Sequence, residues 1–204
     1  MINLNISFSK EYEIYRVKST LGKIKWFKEQ RYLINLPKFD NDHPSDEKIN
    51  GAVEHEYDDN LFLEYSNYIK ANWNKYDKIL SVGLSQIEGV DIQNEYVVNL
   101  TKYGTGGSFG GINTIIINIA QRKLDDIMLT IVHEIIHLSI DKLIIENHTD
   151  HWVKERTVDL LVNKFFPDMS SMQNVPIPTE DIDKQFHAFY PDIVKVIKSV
   201  SKSI

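Results

Sequence analysis

The stretch KLDDIMLTIVHEIIHLSI, residues 123–140, is too apolar to sit on a surface, yet it carries two histidines and a glutamate. Its pattern predicts a helix beginning around Asp125, a fair N-cap residue. Met128, Leu129, Val132, Ile135, Ile136 and Ile140 would cover much of its circumference, so most of the helix must be buried. Burying two imidazoles and a carboxylate is costly unless partners satisfy them. Any fold this chain adopts must bring such partners to residues 133–137.

The spacing narrows what those partners can be. Residues four apart on a helix stand one turn above each other on one face. His133 and His137 can therefore aim two ring nitrogens at one point, about 2.0–2.1 Å from a zinc ion. Glu134 lies about 100° round the same turn, where it could deprotonate a water beside the metal. The plain alternative is a core helix whose histidines hydrogen-bond to carbonyl groups.

A catalytic zinc takes three protein ligands and keeps one position open. Downstream, the run HWVKERTVDLL puts Glu155 eighteen residues after His137 and sets His151, Glu155 and Asp159 at successive four-residue steps on one helical face. The break at 147–150 lets this helix fold back on the first. Glu155 is then the candidate third ligand, and Asp159 the candidate acceptor for the free ring N–H of a zinc histidine. Taken alone, such a face is more often a solvated row of charges.

HEIIH with a downstream glutamate, and an aspartate four residues beyond it, resembles the gluzincins, the zinc metallopeptidase clan that includes thermolysin. The likeness covers residues 112–166, about a quarter of the chain. It implies His133, His137 and Glu155 as zinc ligands, Glu134 as general base and Asp159 as support for a ligand histidine. It also implies an edge strand just before the motif helix, to pair with extended substrate; INTIIINI occupies that position. The clan's additional oxyanion donor has no fixed place here. His151 is the first candidate and could instead be a fourth ligand, while His148, His187 and Tyr190 are rivals. The metzincin continuation is ruled out, because Ile140 and Leu143 stand where it needs glycine and a third histidine.

Elsewhere, INLNISF (2–8) alternates like a half-buried strand, and residues 12–36 have mixed helical spacing that stops at Pro37. Residues 38–47 read as an acidic loop, and 58–79 as a long helix with a broad apolar stripe. EYVVNL (95–100) and INTIIINIA (112–120) read as a hairpin around the glycine-rich YGTGGSFGG, which is either a plain loop or a flap carrying Phe109. That link is no dinucleotide cradle, since a strand follows it rather than a helix. MSSMQNVPIPTED reads as a connector, and the tail from Asp181 as helix interrupted at Pro191.

The expectation is an α+β protein in which a mainly helical region, 1–95, precedes or completes a zincin-like catalytic region, 96–204. The expected function is that of a soluble zinc metallopeptidase with Zn2+ as cofactor and a peptide or protein as substrate. The alternative is a non-catalytic zinc-containing binding or regulatory protein with a vestigial peptidase fold. A net charge of −6 with no basic block argues against nucleic acid or an anionic membrane as partner. The absence of cysteine excludes disulfides and thiolate metal sites. Neither a signal peptide nor a membrane-spanning run is apparent, which points to the cytoplasm.

Overall fold

A computed structural model describes residues 1–41, 43–169 and 172–201, and the chain is α+β. In order, it runs β1 (Asn3–Ser7), α1 (Lys10–Gly22), α2 (Ile24–Glu29), α3 (Asp46–Glu56), α4 (Asp59–Ser85), β2 (Glu95–Thr101), β3 (Gly107–Gly110) and β4 (Thr114–Asn118). A single 3-10 turn, Ile119–Gln121, leads into α5 (Leu124–Glu146), α6 (His151–Phe165), α7 (Glu180–Phe189) and α8 (Ile193–Val200). No helix of the described residues is long and apolar enough to cross a membrane. Two compact units emerge, one of Leu4–Asn72 and Tyr96–Ile131, the other of Met1–Asn3, Trp73–Glu95 and Val132–Ile204.

The first of these units holds most of a four-stranded sheet ordered β1-β2-β4-β3. Alternation explains its face: Tyr96, Val98 and Leu100 of β2, and Ile115 and Ile117 of β4, are buried at every second position. Here the sequence reading needs correction. β2 and β4 are not a hairpin but a parallel pair, in register from Val97↔Thr114 to Thr101↔Asn118. The glycine-rich link is not all loop, because Gly107–Gly110 forms β3, antiparallel to β4, with Phe109 opposite Ile115. INTIIINI is consequently an inner strand, and the edge on that side is GSFG. Apolar residues suit the inner position, while a short strand of small residues suits an edge.

The turn between β2 and β3 is pinned from beneath. Arg16 is buried and donates from Nη2 to the Ser108 hydroxyl at 3.2 Å and from Nε to the Tyr103 carbonyl at 3.4 Å. Its guanidinium lies on the bare Cα of Gly104, whose φ of +89° and lack of Cβ are both required there. Val17, Ile49, Val53 and Tyr103 form the adjoining core, with Ile14, Leu21, Leu36 and Phe39 packed against it. The helical spacing of 12–36 resolves into two helices and an extended segment, since Arg31 adopts φ +60° after α2. Helix α3 takes up the end of the expected acidic loop. Ser45 caps it by accepting the Lys48 N–H, and only Ile49 and Val53 are buried.

The second unit is helical. Trp73, Tyr76, Leu80 and Leu84 of α4 are buried at three- and four-residue steps. Gly83 lets α4 approach α6 closely, for a Cβ there would lie 2.6 Å from the Phe165 ring. The bidentate Arg156–Asp183 pair, at 2.8 and 2.6 Å, ties α6 to α7. Ile193, Val196, Ile197 and Val200 bury one face of α8. Within this frame, α5 from Val132 to Ile140 is buried around nearly its whole girth.

Candidate metal centre

Three buried or partly buried side chains of the helical unit converge on one point. His133 and His137 project from successive turns of α5, and Glu155 projects from α6. Asp150 sets the start of α6, because its carboxylate accepts the N–H groups of Trp152 and Val153 as an N-cap. The Nε2 atoms of the two histidines are 2.9 Å apart. Glu155 Oε2 is 3.2 Å from His137 Nε2 and 3.5 Å from His133 Nε2.

These spacings fit a metal ion. Atoms about 2.0–2.1 Å from a tetrahedral zinc ion stand about 3.3 Å from one another, and the three observed separations bracket that value. The donor chemistry fits as well, since two imidazoles and one carboxylate leave the fourth position open. Among the described residues this is the group of histidine and acidic side chains that could hold a metal.

Partners around the triad orient it. His133 turns its other nitrogen, Nδ1, to Asp159 Oδ1 at 3.4 Å, which favours the proton on Nδ1 and a lone pair on Nε2. Glu155 divides its oxygens. Oε2 faces the histidines, while Oε1 faces Lys154 Nζ at 3.4 Å and His151 Nδ1 at 3.9 Å. Asp159 is held by Gln173, whose backbone N–H donates to Oδ2 at 2.7 Å and whose side-chain amide lies 3.2 Å from Oδ1. That amide also reaches His133 Nε2, at 3.3 Å.

The charges are concentrated. Glu134, Glu155 and Asp159 are all buried, and His137 is almost wholly so. Burial would push the Glu155 carboxyl up, but the neighbouring His137, hydrogen bonds from both histidines and Lys154 together hold it far below the usual carboxylate range. Burial likewise depresses His137, to about 4, despite the nearby Glu155. Burial also opposes charge on His133, yet the hydrogen bond to Glu155 and the charges of Glu134, Glu155 and Asp159 outweigh it, so His133 is raised. Asp159 is raised by burial, against the pull of His133 and the Gln173 hydrogen bonds. Burial also lowers His151. Glu134, Glu155 and Asp159 thus set three buried carboxyl groups around the two histidines, surroundings that favour a cation.

Of the residues singled out in the sequence, His133, His137, Glu155 and Asp159 come together through side-chain contacts. Glu134 lies in the same turn of α5 and acts on His133 through its charge. His151 reaches Glu155 at the oxygen turned away from the histidines. The rivals stand elsewhere: His148 occupies the turn after α5 with φ +48°, and His187 and Tyr190 pack against Phe186. Sequence reasoning missed Lys154 and Gln173. Lys154 could have been found as the neighbour of the candidate ligand Glu155. Gln173 has no local signal, for it lies 14 residues beyond Asp159 in a connector.

Comparison of the chain with protein-family models, curated proteins and solved structures returns no significant match.

Proposed function

We propose that this chain is a zinc-dependent metallopeptidase of zincin-like architecture, acting on a peptide or protein. The observation that carries this reading is the triangle of His133 Nε2, His137 Nε2 and Glu155 Oε2, with sides of 2.9, 3.2 and 3.5 Å and Glu134 buried in the same helical turn. Zinc held there would supply a Lewis acid, polarising a scissile carbonyl and lowering the pKa of a water to ~7.

The chain's own residues do the rest. His133, His137 and Glu155 would hold the cation, and Asp159, facing His133 Nδ1, would keep the ring's lone pair on Nε2. Lys154 compensates the second oxygen of Glu155. Glu134 acts as general base: its carboxylate takes a proton from the attacking water and delivers it to the departing amine nitrogen. The buried surroundings strengthen each of these interactions relative to water.

The test combines metal content with hydrolysis. Wild-type protein should carry about one zinc per chain by elemental analysis and cleave members of a mixture of quenched fluorescent peptides. His137→Ala should lose both properties, and Glu134→Gln should keep the zinc but lose cleavage. If wild type takes up no zinc at neutral pH, the histidines are packing residues and the reading falls. Equal cleavage by Glu134→Gln would remove that residue from the reaction. Zinc retained with no cleavage of any peptide would instead favour a non-catalytic zinc protein.

A further inference from the structure

Gln173 stands apart from the roles assigned so far. Its backbone N–H already satisfies Asp159 Oδ2 at 2.7 Å, so the chain is anchored to α6 without any help from the side chain. The side-chain amide nonetheless points back into the cluster, 3.2 Å from Asp159 Oδ1 and 3.3 Å from His133 Nε2. The chemistry of those two partners fixes which way round the amide lies. A carboxylate oxygen only accepts, and in the neutral ring with its proton on Nδ1, the nitrogen facing Asp159, His133 Nε2 carries a lone pair. Between that ring and the carboxylate the amide presents its NH2 group.

That lone pair is also the one directed at His137 and Glu155, 2.9 and 3.5 Å away. A metal ion held by the three side chains would need it. The amide N–H and the ion therefore compete for the same two electrons. Gln173 is itself exposed, so its side chain can swing away into solvent without unpacking any core.

We propose that Gln173 is a latch on the metal centre: its side-chain amide occupies the metal-facing nitrogen of His133 while the centre is empty and releases it as the ion enters. The inference rests on the metal-centre reading above and adds a step to it. Because the backbone N–H keeps its hold on Asp159, the latch can open while the support of His133 by Asp159 persists.

The test is zinc uptake by the metal-free full-length protein, followed by stopped flow and by competition with a chromophoric zinc chelator. Gln173→Leu keeps the bulk of the side chain and removes its donor; Gln173→Ala removes both. Both variants should bind zinc faster and more tightly than wild type, by roughly threefold to tenfold, the worth of one hydrogen bond. A side chain that served only to brace the site would give the opposite sign, because its loss would weaken binding. Unchanged or weaker binding in both variants overturns the latch. Failure of the wild type itself to take up zinc overturns the metal centre instead, and the two failures are thus distinguishable.

Discussion

The Nε2 atoms of His133 and His137 lie 2.9 Å apart, closer than two lone pairs tolerate without something between them. The gap, with Glu155 Oε2 closing the triangle, has the size and the donor atoms to take a cation. Several consequences can be measured.

Glu155→Ala removes a proposed ligand together with the counter-charge that raises His133. Zinc affinity should fall by more than the ~10–100-fold typical of losing an outer partner. Competition against a calibrated chelator reads this directly. Affinity close to that of wild type would mean that Glu155 is not a ligand.

Asp159→Asn keeps the shape of the side chain but removes the charge facing His133 Nδ1. Zinc affinity should drop roughly 10–100-fold, the usual cost of losing such a partner. The Gln173 backbone N–H can still donate to the new carbonyl, so the urea midpoint of the metal-free protein should move little. A change in zinc affinity of under twofold would show that Asp159 braces the helix only.

Zinc binding should release protons in a defined window. His133 is raised above the ordinary histidine value, so its metal-facing nitrogen loses its lone pair as pH falls through that raised value. His137, lowered to about 4, and Glu155, held low, remain deprotonated there. One proton should leave per zinc bound between about pH 5 and the raised His133 value, and none well above it. Calorimetry in buffers of different ionisation enthalpy counts them. The linkage to folding has the opposite sense: stabilisation of the metal-free fold through His133 is full below its unfolded value near 6.5 and is lost as pH rises through the raised one. Release of two protons near pH 6 would contradict the assignment of His137.

Gly83→Ala tests the approach of α4 to α6. Alanine is the better helix former by about 1 kcal/mol, yet its Cβ would meet the Phe165 ring at 2.6 Å. Overpacking should win, with a net destabilisation of about 1–3 kcal/mol in urea unfolding. A variant as stable as wild type would mean that the ring moves aside freely.

The distinction between local and distant information runs through the whole molecule. Helical period is local: His133 and His137 share a face because they are four apart, and Glu155 and Asp159 do so for the same reason. Those pairs, the two helices that carry them and the α+β class were legible in the residues. Strand pairing is not local. Nothing in EYVVNL or INTIIINI states that the two run parallel with GSFG as the outer strand, since alternating burial is the same for either direction. Helix α3 escaped notice because only Ile49 and Val53 mark its buried side, around an interior Gly51. At the candidate metal centre, sequence determined which donors could share a helical face. Tertiary structure alone decided that Glu155 turns one oxygen to the histidines and the other to Lys154, and that Gln173 returns to clamp Asp159. The physical reason is that one helical turn fixes neighbours about 5–6 Å apart, whereas contacts across a connector exist only after the helices have packed.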